Sequence, residues 1–165
     1  MSTDQRQRLV LGWREWLSLP ELGLPHIKAK IDTGARTSAL HAFEVSYFEH
    51  DGQPLVRFAI HPLQRRTDMQ VVCTAPVIDR RRVKDSGGHS ERRYVICTPV
   101  VIGNESWPIE LTLTNRDTMG FRMLLGRTAM HGRIVVDPDA SFLMGRPPRA
   151  WRSGPAPTGA SRATN

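Results

Sequence analysis

A chain of 165 residues is long enough for one domain with a real core, and 39% hydrophobic with 24% charged residues is ordinary for a soluble protein. No apolar run approaches the roughly 18 residues that a membrane helix needs, and the opening MSTDQRQRLVLGW lacks the apolar core of a signal peptide, so a cytoplasmic protein without membrane contact is expected. The net charge is +7, but residues 146–165 hold four arginines and no acid, so the basic balance argues for a solubilising tail rather than for nucleic acid as the principal partner.

In chain order, residues 1–8 are polar and predict a flexible N-terminus. Residues 9–20 read as a first strand with a bend near Gly12, and Pro20 with the Gly23-Leu24-Pro25 segment marks a turn. The alternating run Ile27-Lys28-Ala29-Lys30-Ile31 predicts a second strand, and residues 37–42 the start of another. Residues 44–60 predict a hairpin turning at Asp51-Gly52. A polar loop over 62–68 leads to a strand over 69–78, with Pro76 placing its end on a sheet edge. Residues 79–93 are charged, with a Gly- and Ser-rich centre. A hairpin over 94–114 turns around Gly103 to Ser106, and short strands are expected near Leu125, over 133–137 and over 141–144. From Arg146 the Pro, Gly, Ser and Ala content rises and periodicity vanishes, which predicts a disordered basic tail over 146–165 behind a single domain over 9–145. Many short strands with almost no helix predict an all-β barrel-like fold.

One strand ends in chemistry. Asp32-Thr33-Gly34 closes the Ile27–Ile31 run, and a carboxylate at the end of a buried strand is costly unless hydrogen bonds and a use compensate it. Thr33 can bond locally and Gly34 permits a sharp turn, so the three residues read as a loop built to hold Asp32 still. D-T-G alone is a weak signal. Here a second motif accompanies it, the apolar run Met123-Leu124-Leu125 followed by Gly126-Arg127 and a short helix start at Thr128-Ala129-Met130.

The two motifs together resemble the retropepsin-like aspartic proteases. The wider wording, AKIDTGARTSALHA with MLLGRTAM, is similar to a bacterial family described as ATP-dependent zinc proteases and grouped with retropepsin-like peptidases. The resemblance covers residues 9–145 and implies a single-domain retropepsin-like barrel. It implies that Asp32 is the catalytic carboxylate, braced by Thr33 and Gly34. It makes Leu124, Leu125, Gly126 and Arg127 the structural motif that crosses behind the loop, and implies a peptide or protein substrate. Members of the family are linked to an ATP-grasp ligase that adds glutamates to a ribosomal protein, so a ligase or ribosomal partner is expected as well.

Aspartic proteolysis needs two carboxylates sharing a proton and a water, one accepting a proton while the other donates. One route to the second carboxylate is a symmetric homodimer, with Asp32 of each chain meeting on the two-fold axis, as the resemblance favours. The other is internal, because Asp85-Ser86-Gly87 also spells D-[ST]-G; it follows the basic run Arg80 to Lys84 rather than an apolar strand, and its position matches a retropepsin flap. Ser86, Gly87 and Gly88 are then expected over the substrate, with Ala35 and Arg36 beside it. Arg81 and Arg82, with Arg36, Arg80, Lys84, Arg92 and Arg93, suit glutamate-rich peptides, since guanidinium groups match carboxylates bidentately. A non-catalytic module binding an acidic peptide or a ligase is the second reading and a zinc peptidase the third. For zinc, the six histidines (His26, His41, His50, His61, His89 and His131) form no H-E-x-x-H, and Cys73 and Cys97 lack C-x-x-C spacing; for ATP there is no phosphate-binding glycine loop. No metal and no cofactor is expected, and both cysteines are expected as reduced thiols.

Overall fold

A computed structural model of the chain describes residues 7–63, 69–85, 87–115 and 120–152. Eleven strands dominate it: β1 (Leu9–Leu11), β2 (Arg14–Leu19), β3 (Leu24–Ile31), β4 (Ser38–His41), β5 (Phe43–His50), β6 (Gln53–Ile60), β7 (Val71–Lys84), β8 (Ser90–Ile102), β9 (Glu105–Thr114), β10 (Met123–Leu125) and β11 (Ile134–Val136). Two single-turn helices, α1 (Arg127–Met130) and α2 (Arg149–Arg152), and a 3-10 turn at Pro20–Leu22 complete the described elements.

Nine strands form one sheet in the order β2-β3-β10-β4-β9-β8-β7-β6-β5, and β2 returns to pair with β8 at Ser18 and Val101. That pairing closes the first six strands into a barrel and leaves β7, β6 and β5 as a wing. The fold is therefore all-β and barrel-like, as the strand pattern predicts. The apolar positions of the alternating strands supply the core: Ile27, Ala29 and Ile31 of β3, Leu111 and Leu113 of β9, and Ile96, Val100 and Ile102 of β8 are buried together.

The chain bends at Gly12, as its sequence suggests. There β1 leaves to pair with β11 while β2 turns into the barrel. A Cβ on Gly12 would lie 2.2 Å from the Ala140 carbonyl oxygen, so only glycine lets these segments touch. Beside it, Glu15 is fully buried, and its carboxylate accepts the N–H groups of Gly12 (2.7 Å), Leu143 (2.9 Å) and Met144 (3.0 Å). This corrects the expected strand over 141–144. That segment is not a strand: its N–H groups serve the carboxylate instead of a ladder, and Phe142 takes a left-handed conformation with φ of 57°.

Pro76 also departs from expectation. β7 lies inside the sheet and runs on to Lys84. Pro76 opposite Leu55 is the last residue registered with β6, and Val77 opposite Ile96 the first with β8, so the missing donor falls where the strand changes partner. The tail from Arg146 begins with described chain, including α2, whose Trp151 meets the His26 ring edge-on at 5.3 Å; residues 153–165 and 1–6 lie outside the described residues.

Candidate active site

Alternation along β3 places Ile27, Ala29 and Ile31 in the core and Lys28, Lys30 and then Asp32 on the other face. β10 lies between β3, to which it is parallel, and β4, to which it is antiparallel. The two strands flanking the Asp32 loop are thus held apart by the strand carrying the second motif. The Asp32 N–H donates to the Leu125 carbonyl at 2.9 Å, tying the head of the loop to β10. Oδ1 of Asp32 accepts the N–H groups of Gly34 (2.9 Å) and Ala35 (3.2 Å). Oδ2 makes no hydrogen bond to a described residue. One carboxylate oxygen is fixed by the backbone, and the other has no hydrogen-bond partner among the described residues.

Gly126 and Arg127 hold the loop from behind. Gly126 donates its N–H to the buried Ser38 hydroxyl at 3.0 Å. Arg127 donates its backbone N–H to the Ala35 carbonyl (2.7 Å) and Nη1 to the carbonyls of Thr33 (3.1 Å) and Gly34 (3.3 Å), while Thr128 donates to Arg36 (3.0 Å). The Arg127 charge therefore faces backbone carbonyls, and no ion pair with Asp32 forms. Leu124 and Leu125 are buried beneath the loop. Arg36 is exposed.

A cleft of about 1730 Å³ runs past Asp32, Gly34, Ala35 and Arg36 and under the hairpin of β7 and β8, with Lys30, Leu124 and Glu110 among its walls. The second D-[ST]-G lies at the tip of that hairpin. Asp85 Oδ1 accepts the N–H groups of Gly87 (2.9 Å) and His89 (2.9 Å), and the Asp85 and His89 backbones close the turn at 2.8 Å. Its carboxylate builds the hairpin tip. Gly87 lines the cleft and Gly88 stands beside it in the turn; Ser86 lies outside the described residues.

The arginines of the hairpin differ from one another. Arg81 bonds Asp79 at 2.7 Å and Glu110 at 2.9 Å, so its charge is already shared between two carboxylates. Arg81 and the Arg80 N–H hold the Asp79 carboxyl below its usual range, and Glu110 with Asp79 pushes the Arg81 guanidinium up. Arg93 is buried and pairs with Glu91 at 2.6 Å. Arg82 is exposed and, among the described residues, reaches only the Ser90 hydroxyl, at 3.5 Å. Of the basic residues named from sequence, Arg36 is exposed in the cleft beside Asp32, while Arg82 borders the cleft and turns its guanidinium to Ser90 on the other face of the hairpin.

A polar chain that sequence reasoning missed joins loop and hairpin. Thr112 donates its hydroxyl to the Ser38 carbonyl (3.1 Å), Arg93 Nη1 donates to Thr112 (3.3 Å), and Thr114 donates to Glu91 (2.6 Å). Threonines at alternate positions of β9 are the only sequence trace of it, and they are equally common in any strand. Among the described residues no group of three or more His, Cys, Asp or Glu is placed to hold a metal ion.

Comparison with known proteins supplies the deciding observation. Residues 10–147 match the family model of the RimB-like proteins, described as the retropepsin-like aspartic endopeptidase RimB. The chain belongs to the RimB-like family. Among curated relatives, a protein of Shewanella pealeana named as a probable alpha-L-glutamate ligase is 48% identical over 138 residues, and one of Parasynechococcus marenigrum with the same name is 51% identical over 139. Each match takes in 84% of this chain but 30% of the relative, so the chain spans about a third of the length of these proteins. A crystal structure of a Legionella pneumophila protein of unknown function superposes with a TM-score of 0.69 at 26% identity, over 84% of this chain and 99% of that one. The RimB-like region takes in both motifs, from Asp32 to Arg127.

Proposed function

We propose that this protein is an aspartic endopeptidase in which Asp32 activates water, paired with Asp32 of a second copy across a two-fold axis. The observation that carries the reading is the Asp32 carboxylate itself: Oδ1 is fixed by two backbone N–H groups while Oδ2 is free of described partners beside a large cleft. Among the described residues the other acids lining that cleft are engaged, Asp85 by the hairpin tip and Glu110 by Arg81, which supports a partner carboxylate supplied by a second copy. Thr33 and Gly34 are exposed at the loop tip, where a symmetric neighbour can reach them. In the dyad one Asp32 takes the proton of the attacking water while its twin, protonated, gives a proton to the peptide carbonyl oxygen.

The substrate class we infer is a glutamate-rich segment. Arg36 presents an exposed guanidinium group beside Asp32, Lys30 lies on the same strand face, and the chain's relatives carry the name of a glutamate ligase. A functional link to such a ligase, and a site in the cytoplasm, follow from that reading. Asp32→Asn keeps the Oδ1 acceptor of the loop, so it should fold normally, bind a glutamate-rich peptide, and lower cleavage by about 10²-fold or more. Full cleavage by the variant would sink the proposal, and binding without cleavage by the natural chain would leave the binding-module reading. Sedimentation with and without peptide reports the dimer, and loss of cleavage in chelator would favour a metal route instead.

A further inference from the structure

We propose that the face of the β7–β8 hairpin bearing Arg80, Arg82, Arg92 and Tyr94 is a binding platform for single-stranded nucleic acid. In the antiparallel register Arg80 stands opposite Tyr94, Arg82 opposite Arg92, and Lys84 opposite Ser90, and residues directly opposite share a face. The other face carries Arg81 and Arg93, whose charges are met by Asp79, Glu110 and Glu91. On the platform face Arg80, Arg82, Lys84 and Arg92 make no ion pair among the described residues.

Two arginines directly opposite on a hairpin repel, and among the described residues neither Arg82 nor Arg92 has an ion-pair partner. The hairpin's charge is thus sorted by face: neutralised toward β9, and without an ion pair among the described residues on the platform. Alternate residues of a strand are about 6.6–6.8 Å apart, a step that suits the phosphates of an extended strand. The platform also carries rings. Tyr47 of the β5–β6 hairpin stacks on Tyr94, with centroids 5.7 Å apart and planes 12° from parallel, and the Arg80 guanidinium lies 5.1 Å from the Tyr94 centroid. Tyr47 remains 45% exposed and its hydroxyl donates to Glu49 at 3.1 Å, which fixes the ring upright at the border of the cations. Cations in a row beside a rigid, exposed aromatic face are what sequence-tolerant recognition of single strands requires, because phosphates meet the guanidinium groups and a base stacks on the ring. An acidic peptide would use the cations but gain nothing from the ring.

The test is fluorescence anisotropy with the full chain and three probes: oligo-uridylate, oligo-deoxythymidylate and polyglutamate, each over a range of salt. Replacing Arg80, Arg82 and Arg92 together by alanine should reduce the slope of log K against log salt for the oligonucleotides by about 2, since each neutralised phosphate contributes about 0.7 for single strands. The triple lysine variant should restore the slope. Tyr47→Ala should weaken oligonucleotide binding about tenfold while leaving the slope unchanged. Tighter binding of uridylate than of deoxythymidylate identifies RNA, and the reverse DNA. An unchanged slope in a triple alanine variant that melts like the natural chain overturns the proposal, as does polyglutamate binding as tightly as either oligonucleotide with no effect of Tyr47→Ala.

Discussion

Gly126 sits so close to Thr37 that a Cβ at position 126 would lie 2.5 Å from the Thr37 carbonyl carbon and 2.6 Å from its oxygen. The obstructing atoms are backbone, at the point where the chain leaves the Asp32 loop for β4, so no side chain can swing aside. Gly126→Ala must push β10 away from β4 and should cost about 1–3 kcal/mol of stability. Urea unfolding measures the cost. An unaltered midpoint would show that the two segments yield more readily than their contact implies.

Arg127 tests whether the loop needs bracing from behind. Its guanidinium spans the carbonyls of Thr33 and Gly34, and its backbone N–H holds Ala35. Arg127→Ala removes the side-chain bonds and keeps the backbone one. Peptide cleavage should fall about tenfold to 10²-fold through misplacement of the Asp32 carboxylate. The change should appear in kcat more than in KM, because Arg127 lies behind the loop. A pure KM effect would place Arg127 on the substrate instead.

Glu15 is a stability prediction remote from the site. Its two carboxylate oxygens together accept three backbone N–H groups. Glu15→Gln keeps the shape but turns one end into a donor facing other donors. The expected loss is about 1–3 kcal/mol, read as a lower denaturant midpoint together with faster amide exchange at Leu143 and Met144.

The two thiols should separate by reactivity. Cys97 is exposed, whereas Cys73 is buried, and burial pushes its thiol up to about 11. A native-state titration with a thiol reagent near pH 8 should show one rapid group, lost in Cys97→Ser, and one slow group. The folded Cys73 thiol keeps its proton where an unfolded thiol, at 9.0, has lost it. Its contribution to stability is therefore complete below pH 9 and declines as pH rises toward 11. Equal rates for both groups would mean that the β6–β7 wing opens freely.

Asp32-Thr33-Gly34 and Leu124-Leu125-Gly126-Arg127 were legible in the chain because each is local: an alternating strand, a turn residue and an apolar run are written in consecutive positions. The hairpins turning at Asp51-Gly52 and around Gly103 were legible for the same reason, and with them the all-β class. What no local pattern encodes is which distant groups meet. Arg81 and Arg82 are neighbours in sequence, yet one is neutralised by Glu110 of another strand and the other is not, because adjacent residues of a strand face opposite ways and only the sheet supplies the partners. Likewise Asp32 and Asp85 head nearly the same three-residue motif, but β10 lies against one and the tip of a hairpin surrounds the other. The residues determined which groups could do chemistry; long-range strand pairing, which fixes neighbours far apart in the chain, decided which of them are free to do it.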